Sequence, residues 1–82
     1  MEELQLKIVS PEKILFDGSV HIVQLPGTEG TFSILHNHAP IISSLQKGDV
    51  IYQTQKDTES KSVSINSGFV EVNKNVVTVC VE

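Results

Sequence analysis

Alternation of apolar and polar residues runs through most of the 82-residue chain and constrains its fold more than any other feature. Between Val77 and Val81, for example, valines alternate with Thr78 and Cys80. A period of two places successive side chains on opposite faces of an extended backbone, so each such stretch predicts a half-buried β-strand. Turn-forming residues interrupt the alternation at seven places, which predicts about eight short strands: Ser10–Glu12, Asp17-Gly18, Pro26-Gly27, Lys47–Asp49, Lys56–Ser60, Ser67-Gly68 and Asn73–Asn75.

The segment from Ala39 to Lys47 is the one place where a helix could be considered, because Ile41, Ile42 and Leu45 are spaced at i, i+1 and i+4. It is too short to be stable as a helix, and Pro40 with the β-branched isoleucines favours an extended chain. We therefore predict an all-β fold, a flattened antiparallel β-sandwich or barrel that forms a single domain over residues 1–82.

The charge of the chain argues against two classes of partner. The net charge is −4, and all six cationic residues are lysines, so the arginine forks that bind phosphates and guanines are lacking. We expect no nucleic-acid partner. The same charge disfavours an anionic lipid surface, the start of the chain is acidic, and no apolar run approaches the roughly 18 residues that span a bilayer, so we expect no direct insertion into lipid.

Few residues of the chain suggest catalysis or ligand binding. The glycines of "GTEGTFS" lack the lysine and helix of a phosphate-binding loop. If His36 and His38 lie on a strand, their rings share a face and could bind a metal with Glu29, which gives one alternative function: a free-standing β module that binds a metal or small ligand. Against this, Asn37 between the two histidines, followed by Ala39-Pro40, is typical of an ordinary loop that enters a strand. Cys80 in its valine-rich strand is typical of a small buried residue, and we expect no catalytic residue and no cofactor.

Neighbouring apolar residues in several strands predict a contact surface. If one residue of each pair faces the core, the other faces outward, and an outward apolar patch on a small domain marks a protein contact. In particular, Ile41 and Ile42 cannot both be buried within the domain. The pairs are Ile8 with Val9, Ile22 with Val23, Ile41 with Ile42, Val50 with Ile51 and Val76 with Val77.

Several short motifs, in a fixed order over about residues 4–81, give the chain a close resemblance to a known family. They are V-S-P at 9–11, F-x-G at 16–18, P-G-T-E-G at 26–30, I-L-x-x-H-A-P at 34–40 and S-G-F-V-E-V at 67–72. In this combination the chain resembles the amino-terminal β domain of the epsilon subunit of F-type ATP synthase.

The resemblance implies a flattened β-sandwich of about ten strands, which widens the strand prediction to eight to ten. It also implies a non-catalytic rotor subunit of the central stalk, which packs against the gamma subunit and presents one end to the c ring, so that ion translocation is coupled to ATP synthesis. Such a subunit is peripheral to the inner (plasma) membrane on its cytoplasmic side. We expect the isolated chain to be a monomer.

The resemblance also assigns contact residues where the motifs match. It implies a c-ring contact through Glu29, Gly30, Thr31 and Phe32, and a gamma contact through Ser10, His38, Ile41, Ile42 and Ser43. The chain departs from the family at Thr31, where many members have a carboxylate, at Ser33 and Ser67, where glycine is frequent, and at His36-Asn37, where Pro-Gly is common.

Longer members of the family continue into two helices that can inhibit ATP hydrolysis, in some cases after sensing ATP. This chain ends at Glu82, after the last predicted strand. We therefore expect a short natural form or a shortened piece without the helical domain. Because the sequence contains no arginine and the helical ATP site of the family uses one, we also expect no ATP binding.

Overall fold

The computed structural model describes residues 4–54 and 59–82, and these residues form eight strands and no helix. Accordingly, this part of the chain contains no helical segment with the length and apolarity needed to cross a bilayer. The strands are β1 (Leu4–Val9), β2 (Ile14–Gly27), β3 (Gly30–Ile34), β4 (Ile41–Leu45), β5 (Gly48–Thr54), β6 (Lys61–Ile65), β7 (Gly68–Asn73) and β8 (Val76–Val81). The all-β prediction is confirmed.

The long strand β2 joins the two halves of the fold. Its first part pairs with β1 from Ile14 to Val20, its second part pairs with β5 and β3, and Gly27 at its end pairs with Leu45 of β4. The remaining neighbours follow in the order β1-β8-β7-β4 on one side and β5-β6 on the other. Among the described pairings, β1 and β8 are parallel and the others are antiparallel, so the antiparallel prediction needs this one correction.

The core lies between the two halves and is filled by one parity of nearly every strand. In β8, Val77, Val79 and Val81 are buried while the residues between them are not, as the alternation predicts. The ring of Phe16 packs on Tyr52 with 4.3 Å between ring centroids, which joins β2 to β5. Buried apolar residues in the described part of the chain are Leu4, Leu6, Ile8, Val20, Val23, Leu25, Ile34, Leu45, Val50, Tyr52, Ile65, Val70, Val72, Val77, Val79 and Val81.

One predicted turn is wrong. Asp17-Gly18 lies inside β2, paired with Lys7 and Leu6 of β1, and Gly18 does not have the positive φ for which a turn uses glycine. A Cβ on Gly18 would lie 3.2 Å from the ring of Phe16. This glycine therefore makes room for an aromatic ring over the strand and does not reverse the chain.

A loop at residues 35–40, which the sequence left open as the alternative to a strand at His36 and His38, offsets the absent turn, so the expected number of about eight strands is still correct. The chain reverses instead at Thr28-Glu29, just after the predicted Pro26-Gly27, and the turns near Ser10, Lys47, Ser67 and Lys74 are confirmed. The predicted turn at Lys56–Ser60 lies largely outside the described residues. The extended conformation predicted within Ala39–Lys47 is confirmed, because Ile41–Leu45 forms β4.

Candidate protein-docking surface

The outward surface of β4, β7, β8 and β1 carries several exposed apolar side chains. Ile42 is 76% exposed, Phe69 51% and Val76 47%. The strand register places them in adjacent rows, because Ile42 pairs with Glu71, and Phe69 pairs with Cys80, which in turn pairs with Val9. We call this surface the apolar face and define it by Val9, Ile42, Phe69, Val76 and Cys80.

Shallow hollows lie on the apolar face. One of about 420 Å³ lies between the end of β1 and the β7–β8 pair and is lined by Val9, Phe69 and Cys80, among others. Another, of about 380 Å³, lies where Pro40 and Ile42 approach Glu71. An exposed apolar surface with such hollows can accept the side chains of a protein partner.

The structure separates the five residues of the predicted gamma contact. Ile42 lies on the apolar face, whereas Ile41 and Ser43 have the opposite parity in β4 and pair with the buried Val72 and Val70. Ile41 is half-buried and packs against the core. The prediction that Ile41 and Ile42 cannot both be buried is confirmed.

Ser10 lies at the edge of the larger hollow, in the turn between β1 and β2. Its backbone N–H donates to the carbonyl of Lys13 at 2.9 Å, and its hydroxyl oxygen accepts from the backbone N–H of Lys13 at 3.2 Å. The turn therefore holds Ser10 beside the apolar face.

The predicted c-ring residues form the tip of the β2–β3 hairpin. Glu29, Gly30 and Thr31 are exposed, and Phe32 is half-buried against the core. Gly30 has φ of 130°, which residues with a side chain rarely adopt. A Cβ on Gly27 would lie 2.7 Å from the carbonyl oxygen of Gly30 and from the ring of Phe32, so this tight turn requires glycine at both ends of the Thr28-Glu29 pair.

Backbone hydrogen bonds attach this hairpin tip to β4. The N–H of Thr28 donates to the carbonyl of Ser44 at 3.1 Å, and the N–H of Gln46 donates to the carbonyl of Pro26 at 2.9 Å. The tip and the strand that carries Ile42 are thus one hydrogen-bonded unit.

The structure does not support the metal-binding alternative. His36 and His38 lie in the loop at residues 35–40 and not on a strand, so the shared face that the hypothesis required is absent. The Nδ1 atom of His38 lies 2.7 Å from the carbonyl oxygen of Ala39. Over residues 4–54 and 59–82, no three His, Cys, Asp or Glu side chains are grouped as a metal would need.

Two parts of this surface were not predicted from the sequence. Cys80 was expected to be buried, but it is half-buried and faces outward beside Phe69. Phe69 itself was not identified, although Phe69-Val70 shows the same signal of two neighbouring apolar residues that identified Val9 and Ile42.

Comparison with known proteins identifies the family of the chain. The model of the family described as "ATP synthase, Delta/Epsilon chain, beta-sandwich domain" matches residues 3–82. The chain belongs to this family. An ATP synthase epsilon chain of Caulobacter vibrioides is 41% identical over 83 residues, which cover all of this chain and 93% of that protein. One of Leptospira borgpetersenii is 40% identical over 77 residues, or 94% of this chain and 59% of that protein.

Chains in two solved ATP synthase structures share the fold at low sequence identity. A chain in the Euglena gracilis mitochondrial ATP synthase (OSCP/F1/c-ring) superposes with a TM-score of 0.89 at 18% identity, covering 96% of this chain and 50% of that one. A chain in the central stalk and c-ring structure from Tetrahymena thermophila gives 0.81 at 17% identity, covering 98% and 63%. Among the sequence relatives, the chain spans about three fifths of the length of several epsilon chains and most of the length of the Caulobacter protein.

Proposed function

We propose that this chain is a non-catalytic rotor subunit of an F-type ATP synthase, which links the gamma subunit to the c ring and couples ion translocation to ATP synthesis. The observation that carries the proposal is the family match over residues 3–82, together with relatives named ATP synthase epsilon chain. The proposal assigns the link to the β-sandwich itself.

The apolar face is our proposed site for gamma. Ile42, Phe69 and Val76 are exposed in the isolated domain, and a partner that covers them removes apolar surface from water at roughly 25 cal/mol per Å². Glu71 and Lys7 lie in the same row as Ile42 and supply charges beside the apolar side chains. An apolar centre with polar neighbours is the usual composition of a protein interface.

The predicted gamma residues acquire different roles in this proposal. Ile42 makes the central contact, Ser10 lies at one edge, and His38 lies in the loop that leads into β4. Ile41 and Ser43 face the other way, so we propose that they support β4 from the core side.

The tip of the β2–β3 hairpin is our proposed site for the c ring. Glu29 and Thr31 are exposed there and supply a carboxylate and a hydroxyl, which suit hydrogen bonds to polar loops. Because Thr31 stands where many family members have a carboxylate, Glu29 is the ionic residue of this contact.

The hydrogen bonds between the tip and β4 give the two proposed sites a short rigid connection. A force applied by the c ring at Glu29 reaches β4 through the bonds from Thr28 to Ser44 and from Gln46 to Pro26. This connection suits a part that transmits torque, because paired backbone yields less than a loop would. In such a complex the chain is peripheral to the membrane, on the cytoplasmic side of the plasma membrane.

Capture from detergent-solubilised membranes of the source organism tests the proposal. The tagged chain is expected to retain gamma and the c subunit, both identified by mass spectrometry, and to retain them equally in the presence of a chelator. The Ile42→Asp variant, captured in parallel, should lose gamma. Absence of both subunits from the material retained by the unaltered chain would overturn the proposal.

A further inference from the structure

Two asparagines join the loop at residues 35–40 to the β7–β8 turn. The backbone N–H of Asn37 donates to Oδ1 of Asn75 at 2.5 Å, and Nδ2 of Asn75 donates to Oδ1 of Asn37 at 3.1 Å. The two residues are 38 positions apart in the chain. We call this reciprocal pair of hydrogen bonds the asparagine clasp.

Both asparagines occupy backbone conformations that few residues tolerate. Asn37 has φ of 67° and is the third residue of a turn that the bond from the N–H of His38 to the carbonyl of Leu35 closes at 3.2 Å. Lys74 and Asn75 have φ of 52° and 63°, as the two-residue hairpin turn of type I′ requires. Glycine and asparagine suit such positions, but asparagine also brings a side-chain amide, and the clasp uses both amides.

The clasp has a fixed anchor. The carbonyl of Asn75 accepts a hydrogen bond from the N–H of Gln5 at 2.9 Å, so the β7–β8 turn is held to the start of β1. Asn75 is half-buried at the end of the apolar face, next to Val76. The loop that carries His38 is therefore joined to the β7–β8 turn and, through Asn75, to the start of β1.

We propose that the asparagine clasp holds the loop at residues 35–40 in the shape that docks on gamma, which makes Asn37 and Asn75 positioning residues for that contact. This inference rests on the proposed function. An ordered loop binds more tightly than a mobile one, because the entropy of ordering it is lost before association and not during it.

Thermal unfolding of Asn37→Gly, Asn75→Gly and the double variant tests the clasp. Glycine keeps the positive φ at each position and removes the side-chain amide. Asn75→Gly removes both hydrogen bonds and is expected to lower the melting temperature by about 4–8 °C. Asn37→Gly keeps its backbone N–H and loses only the bond from Nδ2 of Asn75, so it should lower the melting temperature by less, and the double variant should match Asn75→Gly. Additive effects would overturn the clasp.

Calorimetric titration of purified gamma with the same variants tests the positioning role. Asn75→Gly and the double variant are expected to weaken binding about three- to tenfold, and Asn37→Gly by less, again without additivity. The control is Ser64→Ala, which removes the 2.8 Å hydrogen bond from Ser64 to Asp49 in the β5–β6 pair, far along the sheet order from the loop. It should lower the melting temperature and leave the affinity unchanged.

Two outcomes separate the inference from the function on which it rests. If the thermal effects of the two asparagine variants are coupled but the affinity for gamma is unchanged, the clasp serves stability alone and the inference is wrong. If the unaltered chain does not bind gamma, the proposed function fails and the positioning role fails with it, while the thermal data still decide whether the clasp exists.

Discussion

The two outer surfaces of the sandwich follow the same alternation and differ in what they expose. The apolar face presents Ile42, Phe69 and Val76 to solvent. The opposite outer surface, formed by β3, the second part of β2, β5 and β6, presents mainly serines, glutamines and charged residues, and we call it the polar face. Its outward residues include Ile22, Gln24, Ser33, Asp49, Ile51, Ser62 and Ser64, of which Ile22, Gln24 and Ile51 are half-buried.

The difference shows where the domain needs a partner. A sheet whose outer surface is polar is well solvated without a partner. A sheet that exposes isoleucine and phenylalanine is stabilised when a partner removes these side chains from water. A chain of this length buries only about 60% of its unfolded surface, so an added interface is a large gain for it. The apolar face is therefore the side to test for binding, and the polar face supplies the controls.

The largest expected effect is a loss of folding stability, and it distinguishes the core from the apolar face above it. Val70→Asp places a carboxylate in a fully buried position and should lower the free energy of unfolding by about 4 kcal/mol or more, enough to unfold a small domain. Phe69→Asp, on the next residue, should cost about 1 kcal/mol, because this side chain is half exposed. Urea denaturation measures both, and equal losses would mean that Phe69 is a core residue.

The next effect is on the affinity for gamma, and it distinguishes a substitution on the apolar face from one on the polar face. Ile42→Asp and Ser62→Asp each place a new carboxylate on an exposed outward position, one on each face. The first should weaken binding about 30-fold or more, as for a central interface residue, and the second should leave it unchanged. Surface plasmon resonance with immobilised gamma measures the ratio. Equal weakening by both would show that the apolar face has no special role.

A smaller effect separates the two sides of β4. Ile41→Ala should lower the free energy of unfolding by about 1–2 kcal/mol, since its side chain packs on the core, while Ile42→Ala should change it by less than about 0.5 kcal/mol. Chemical denaturation of the two variants under one set of conditions gives the difference. The reverse order would mean that the parity of β4 is inverted.

The smallest effect concerns the hairpin tip, which belongs to neither face. Glu29→Ala should leave the melting temperature nearly unchanged and weaken retention of the c ring by up to about fivefold, since an exposed polar contact contributes about 0–1 kcal/mol. Scanning calorimetry and quantitative capture measure the two effects. A clear drop in melting temperature would show that Glu29 serves the fold.

Alternation and turn residues were sufficient to predict the fold class and most strand ends, because one polar–apolar period decides which side chains reach the core. They failed at Gly18, since a glycine that accommodates a ring looks the same in the sequence as one that reverses the chain. The choice between a strand and a loop around His36 and His38 was left open for a related reason: Asn37 takes the positive φ there, and its hydrogen-bonding partner Asn75 lies 38 residues away. Contacts between residues so far apart in the chain leave no local pattern.

The proposed contact residues differ in the same way in how much of their placement the sequence could predict. The neighbouring isoleucines of β4 predicted that one would face outward, but only the strand register shows that it is Ile42 and that Phe69 and Cys80 lie beside it. The hairpin tip was recognised from its family motif, while its hydrogen bonds to β4 depend on the folded backbone and have no sequence signal.

The parallel pairing of β1 with β8 determines how the domain resists being pulled. The five residue pairs from Gln5 with Val76 to Val9 with Cys80 place the start of one terminal strand and the end of the other at opposite ends of a shared ladder. Tension applied between the two ends of the chain therefore acts along these strands as shear, and the evenly spaced bonds of a parallel ladder carry the load together instead of opening one after another. In the rotor role that we propose, such a pair of strands would keep the domain stiff along the line from Leu4 to Val81.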